Sequence, residues 1–133
     1  MILHAGSRRE GLPPASLCAA GALLLGGGAV HLALTVEHFG EGTMQGVLFL
    51  LDGLVLVASG LWLVVSGARL ARTMAVLAAV VTVAAYVASR TTGIPVFGRE
   101  TWDQLGLWTT AGELVAAILI ATYKTKSLRR ERS

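Results

Sequence analysis

The chain has 133 residues, of which 54% are hydrophobic and only 14% charged, with a mean hydropathy of +0.68. Soluble domains carry about 25% charged residues, so this composition points to a single membrane domain and leaves no room for a separate soluble one. The net charge is a modest +3, the lone Cys18 excludes an intrachain disulfide or a CxxC redox pair, and nucleic-acid binding does not fit a chain so largely taken up by apolar runs.

Residues 1–13 are polar and carry Arg8 and Arg9 ahead of Pro13-Pro14. A secretory signal would show an apolar region of about 7–15 residues and a small-residue cleavage site. The run from Ala15 to Val36 is instead long enough to span a bilayer at about 1.5 Å per residue. Ser7-Arg8-Arg9 lacks the context of a twin-arginine signal, and Leu17-Cys18 has a bulky residue where a lipobox needs a small one. Three more apolar spans follow, at about 44–65, 73–89 and 104–123. Backbone groups in lipid permit only helices or closed barrels, and nothing alternates as barrel strands do. The expected fold is all-α, a bundle of four transmembrane helices with short outer turns.

Orientation follows from the basic residues. Arg8, Arg9, Arg69, Arg72, Lys124, Lys126, Arg129, Arg130 and Arg132 fall on one side, and Arg90 and Arg99 on the other. Both termini are therefore expected in the cytoplasm of a multi-pass plasma-membrane protein, with 124–133 a basic tail that attracts anionic lipid. Trp102, Trp108 and Tyr86 would form the outer aromatic belt, and Trp62 and Tyr123 the inner one. Phe39-Gly40-x-x-Thr43 echoes Phe97-Gly98-x-x-Thr101, which suggests either a duplicated helix pair or coincidence between Gly-rich turns. Thr43 and Thr101 are expected to cap the helices that follow, Thr101 with Gln104 as a capping box. Gly26-Gly27-Gly28, Gly42-x-x-x-Gly46 and Ala71, Ala75, Ala79 suit close helix packing.

The stretch VEHFGEGTMQGVLFLLDG, Val36 to Gly53, sets Glu37, His38 and Glu41 in a turn and drives Asp52 into the second span. An acid at that depth costs about 2.5–3.5 kcal/mol on insertion scales, so it must be protonated, paired or facing a wet cavity. Glu113 lies at similar or greater depth in the fourth span, and the two acids could meet inside the bundle, sharing a proton or a cation. Hydrogen bonding to a neighbouring hydroxyl or backbone group is the structural alternative. His31 and His38 are seven residues apart on one helix face, which sets the rings roughly 10 Å apart, too far to clasp one ion. Imidazole with carboxylate suits copper or zinc, in a set such as His38, Glu41 and Glu113, or His31 with Asp52. Only one span carries His, which argues against bis-His haem. Arg90 is expected to pair with Glu37, Asp52 or Glu113, or to reach lipid headgroups. Ile94-Pro95 stiffens the outer loop. No Walker loop, Ser-His-Asp set or HExxH motif occurs, which leans against an enzyme.

VEHFGEGTMQGVLFLLDG, ASRTTGIP and the acid of Gly112-Glu113-Leu114 resemble a type of small four-helix integral membrane protein found in bacteria. The resemblance covers most of the chain and implies the topology, but brings no activity or ligand with it. The leading expectation is a non-enzymatic membrane protein with a polar site of His31, His38, Glu41, Asp52 and Glu113 under its outer face, with Arg90 and Glu37 as charge partners, binding a transition metal or a proton. An accessory or assembly subunit of a larger membrane complex is the second, and a small dimeric transporter the third. Partners beyond the bilayer would be a second copy or that larger complex.

Overall fold

The computed structural model describes residues 13–95 and 98–131, with the backbone alone described from 124 onward. Arg8, Arg9, Phe97 and the side chains of the basic tail lie outside the described residues. Four helices make up the fold: α1 Ala15–Glu41, α2 Thr43–Ser66, α3 Arg69–Arg90 and α4 Gln104–Glu131. All four contain a stretch long and apolar enough to cross a membrane. They pack as a ring in chain order, with contacts α1·α2, α2·α3, α3·α4 and α4·α1, the first the most extensive. Large apolar side chains such as Leu51, Leu61, Val81 and Ile118 face outward, as expected of helices solvated by lipid.

Several helix ends differ from the sequence expectation. α1 continues through Glu41, so Glu37, His38 and Glu41 sit on its last turn and not in a loop. Gly42 alone joins α1 to α2, with an extended backbone and no side-chain cap from Thr43. Arg69 and Arg72, expected between helices, lie in the first turn of α3. Thr101 does not cap α4; Asp103 does, its Oδ2 accepting the Gly106 N–H at 2.6 Å and its carbonyl the Leu107 N–H at 3.0 Å. A carboxylate is the better acceptor at a positive helix terminus. The Phe-Gly echo is not repeated in structure, since Gly40 is helical while Gly98 sits in a loop at φ 74°.

α1 and α2 meet along a glycine seam. Gly46, Gly53, Gly60 and Gly67 recur every seven residues on α2 and at its cap. A Cβ on Gly53 would stand 3.1 Å from the Gly28 carbonyl, and one on Gly60 would stand 2.8 Å from that of Gly21. Leu32 and Leu25 fill the space beside Gly53 and Gly60, and Phe39 that beside Gly46. Knobs at 39, 32 and 25 thus enter holes at 46, 53 and 60, the seven-residue period of a left-handed helix pair. Gly67, at φ 58°, ends α2 in a left-handed turn that other residues resist.

The end of the bundle that carries Gly42 and the 91–103 connection is taken as its upper end. The lower half is a packed apolar core of Leu17, Leu24, Leu56, Leu63, Ala75, Ala79, Ala116, Ala117 and Ile120. Ala71, Ala75 and Ala79 are fully buried, in keeping with close packing at small residues. The upper half is different: polar side chains replace the apolar ones and the helices part around a cleft.

Candidate functional site

The cleft has a volume of about 560 Å³ and is lined at its mouth by Glu37, His38, Glu41, Arg90, Glu100 and Asp103, with His31 and Thr82 in its wall. Four carboxylates face one guanidinium there, so the mouth favours cations.

His38 occupies the last turns of α1. Its Nδ1 lies 2.9 Å from the Leu34 carbonyl, an acceptor only, so Nδ1 carries the hydrogen and Nε2 keeps a free lone pair when the ring is neutral. The ring stacks on Phe49 at 3.5 Å, which fixes its plane. Nε2 points to Glu41 Oε2 at 3.9 Å. Glu100 arrives from the α3–α4 connection, held by its own N–H on the Ser89 carbonyl at 2.8 Å. Ligand atoms of His38, Glu41 and Glu100 all lie within 4.8 Å of one another. A tetrahedral ion with bonds of about 2.0–2.1 Å sets its ligands about 3.4 Å apart, which small rotations of the two glutamates would meet. Gln45 bridges the two acids, donating to Glu100 Oε1 at 3.2 Å and to Glu41 Oε2 at 3.5 Å.

Arg90 closes one side of the mouth. Its guanidinium donates to Glu100 Oε2 at 2.5 Å and to Asp103 Oδ1 at 2.8 Å, and lies over the Tyr86 ring at 4.2 Å. The expected pairing with Glu37, Asp52 or Glu113 does not occur, because the loop acids Glu100 and Asp103 fold back over the top of α3. Glu37 lines the cleft with no ion pair among the described residues. Burial works against the Asp103 charge, but hydrogen bonds from Arg90 and the Gly106 N–H, and the attraction of Arg90, outweigh it and hold its pKa below the ordinary 3.8.

A second polar level lies deeper. Asp52 is nine residues into α2 from Thr43, Glu113 nine into α4 from Gln104, and Thr82 eight back from Arg90. At about 1.5 Å per residue all three sit roughly 12–14 Å below the helix ends. His31 Nε2 meets Asp52 Oδ2 at 3.0 Å, while His31 Nδ1 lies 2.8 Å from the Gly27 carbonyl. The other Asp52 oxygen accepts the Thr82 hydroxyl at 2.6 Å. Glu113 is fully buried, and neither of its carboxyl oxygens has a hydrogen-bond partner. His31 Nδ1 lies 3.9 Å from Oε1. Gly27 makes room for it: a Cβ there would stand 2.8 Å from that oxygen.

The five residues expected to share one site thus fall on two levels. His31, Asp52 and Glu113 come together below; His38 and Glu41 stand above with Glu100, and Glu113 is not their neighbour. Phe49 lies between the levels, stacked on His38 and tilted against His31 at 5.3 Å. Sequence reasoning missed Glu100, Gln45 and Thr82 as site residues. Thr82 carried a signal, as a hydroxyl in the Ala/Val run at the depth of Asp52; Glu100 carried none, because irregular chain places it.

No family model matches this chain, and no curated protein or solved structure matches it either.

Proposed function

We propose that this is a multi-pass membrane protein that binds a divalent transition-metal ion, zinc or copper(II), in the cleft at its upper end. His38, Glu41 and Glu100 would be the protein ligands. The observation that carries this reading is the convergence of their donor atoms within 4.8 Å, with His38 Nε2 left as the free ring nitrogen by the Leu34 contact. One imidazole and two carboxylates suit zinc or copper(II), and no thiol stands among the cleft-lining residues to favour copper(I). Three protein ligands would leave a fourth position open to water or to a further donor.

The upper end is proposed to face away from the cytoplasm of the plasma membrane, with both termini inside. By sequence position nine of the eleven basic residues flank the span ends opposite the cleft, Arg69 and Arg72 at the start of α3 among them, which supports that orientation. Conduction is less well supported than binding. A transport path would have to cross the lower half, where the described residues are the packed core of Leu17, Leu24, Leu56 and Leu63.

The test is elemental mass spectrometry on protein purified from membranes without a metal-affinity column. About one zinc or copper per chain is expected, lost in His38→Ala and in Glu100→Gln. Protein that is metal-free and takes up neither ion on titration refutes the metal reading. Metal-free protein that co-purifies with a larger complex would favour an accessory subunit instead.

A further inference from the structure

We infer that Asp52 and Glu113 form a proton-exchanging site at the closed end of the cleft, with His31 as the group that connects it to the cleft water. This site is separate from the proposed metal ligands and does not depend on them.

The Gly27 carbonyl can only accept, so His31 Nδ1 carries a hydrogen whatever the state of the ring. The 3.0 Å contact between Nε2 and Asp52 Oδ2 then holds one more proton. Either an imidazolium faces a carboxylate, or an imidazole faces a carboxylic acid. The two states differ by one transfer: the N–H bond breaks as the O–H bond forms. The Thr82 hydroxyl on Oδ1 satisfies the second Asp52 oxygen in both.

Glu113, a fully buried carboxyl with neither oxygen hydrogen-bonded, is not placed to be a helix-to-helix tether. A structural acid would have found a partner, as Asp52 found Thr82. With His31 neutral and both acids ionised, the group would carry two negative charges at hydrocarbon depth, which is costly. Each proton taken up removes one of them, so the group is built to hold protons.

His31 and Thr82 line the cleft, and Glu113 is fully buried. The Asp52 side chain is 28% exposed, and its two oxygens are engaged by His31 and Thr82, the residues that face the cleft. Below are Leu24, Leu56, Ala116 and Ala117, an apolar layer, with the buried Ser59 about two turns under Asp52 on α2. α1 presents His31 and, higher up, Glu37 and His38. α2 presents Asp52. α3 presents Thr82, with Tyr86 and Arg90 above it, and Arg90 is committed to Glu100 and Asp103. α4 presents Glu113. Exchange with cleft water therefore runs through His31. Its ring leaves as imidazolium, with Asp52 left as carboxylate; the Nε2–H bond breaks as cleft water takes that proton, Nε2 then takes another from hydronium with release of water, and the ring returns to share it with Asp52.

The experiment is infrared difference spectroscopy on the full chain in lipid vesicles with a metal chelator present, so that the result stands whether or not the mouth binds metal. At neutral pH the protein is expected to show a protonated-carboxyl carbonyl band that shifts in heavy water. Asp52→Asn and Glu113→Gln should each remove part of it. Thr82→Val, which leaves all charges in place, should move the Asp52 component. His31→Gln should keep the band but slow its deuterium exchange at least about tenfold. Absence of the band in the wild-type protein, a band unchanged in both acid variants, or exchange in His31→Gln at the wild-type rate would each overturn the inference.

Discussion

Alanine placed at Gly60 and at Gly26 should change stability in opposite directions, although both sites are glycines inside helices of the same hairpin. Glycine in a helix interior is about 0.8–1.0 kcal/mol less favourable than alanine, so an unobstructed substitution gains about that much. Gly26 is such a site, with nothing within 4 Å of its added Cβ. At Gly60 the Cβ would lie 2.8 Å from the Gly21 carbonyl oxygen and 3.2 Å from the Leu25 nitrogen. Both are backbone atoms of α1, so no side chain can rotate away, and ordinary contact begins near 3.4 Å. The helices must separate, which loosens the Gly53–Gly28 approach as well. Overpacking of this kind costs about 1–3 kcal/mol. Set against the propensity gain, Gly60→Ala should lose up to about 2 kcal/mol. The assay is reversible unfolding in mixed micelles with increasing sodium dodecyl sulfate, followed by tryptophan fluorescence. Equal shifts in the two variants would refute the seam as the element that sets α1 against α2.

Two further outcomes follow from the polar levels. Glu113→Leu should stabilise the bundle by about 1–3 kcal/mol in the same unfolding assay, since it removes a buried acid that has no hydrogen-bond partner and only a 3.9 Å approach to His31; a loss of stability would mean that the carboxyl has a structural role after all. The Asp103 cap gives a pH dependence whose sign is fixed. Its folded pKa lies below the ordinary 3.8, so its contribution is complete above that value and is lost as pH falls toward the depressed one. Acid titration of the wild-type protein should show this loss, and Asp103→Asn should lack it; because the carboxylate is about half exposed, the effect should be small and weakened by salt.

Apolar length made the four helices legible, because lipid demands a property that can be summed along the chain. Their ends were less so. Glu37, His38 and Glu41 look like turn residues because they are polar, yet they continue α1 for a turn past the apolar run. The depths of Asp52 and Glu113 could be counted from the sequence; His31 with Asp52 was legible only as one of two candidate ion-ligand sets, with Arg90 as a rival partner for the acid. Glu100 could not, since its position depends on a backbone bond to Ser89 across an irregular connection. The glycines at 46, 53, 60 and 67 were in plain view, but their meaning lies in α1, whose Leu25, Leu32 and Phe39 repeat at the same interval.

That shared interval ties the fold to the site. A seven-residue register allows α1 and α2 to slide only in large steps, because each glycine hole accepts one knob. The step adopted sets Gly28 opposite Gly53. Asp52 immediately precedes Gly53, and His31 lies three residues, nearly one turn, beyond Gly28. The same close approach that excludes a Cβ from the seam therefore brings His31 Nε2 to 3.0 Å from Asp52. Phe49, one turn above Asp52, then falls between the two histidines and keeps the upper metal-type cluster apart from the lower acid pair. A bundle held by long side chains would leave that spacing adjustable. One held by backbone contact fixes it, which suits a site whose lower acid has no bond of its own to hold it in place.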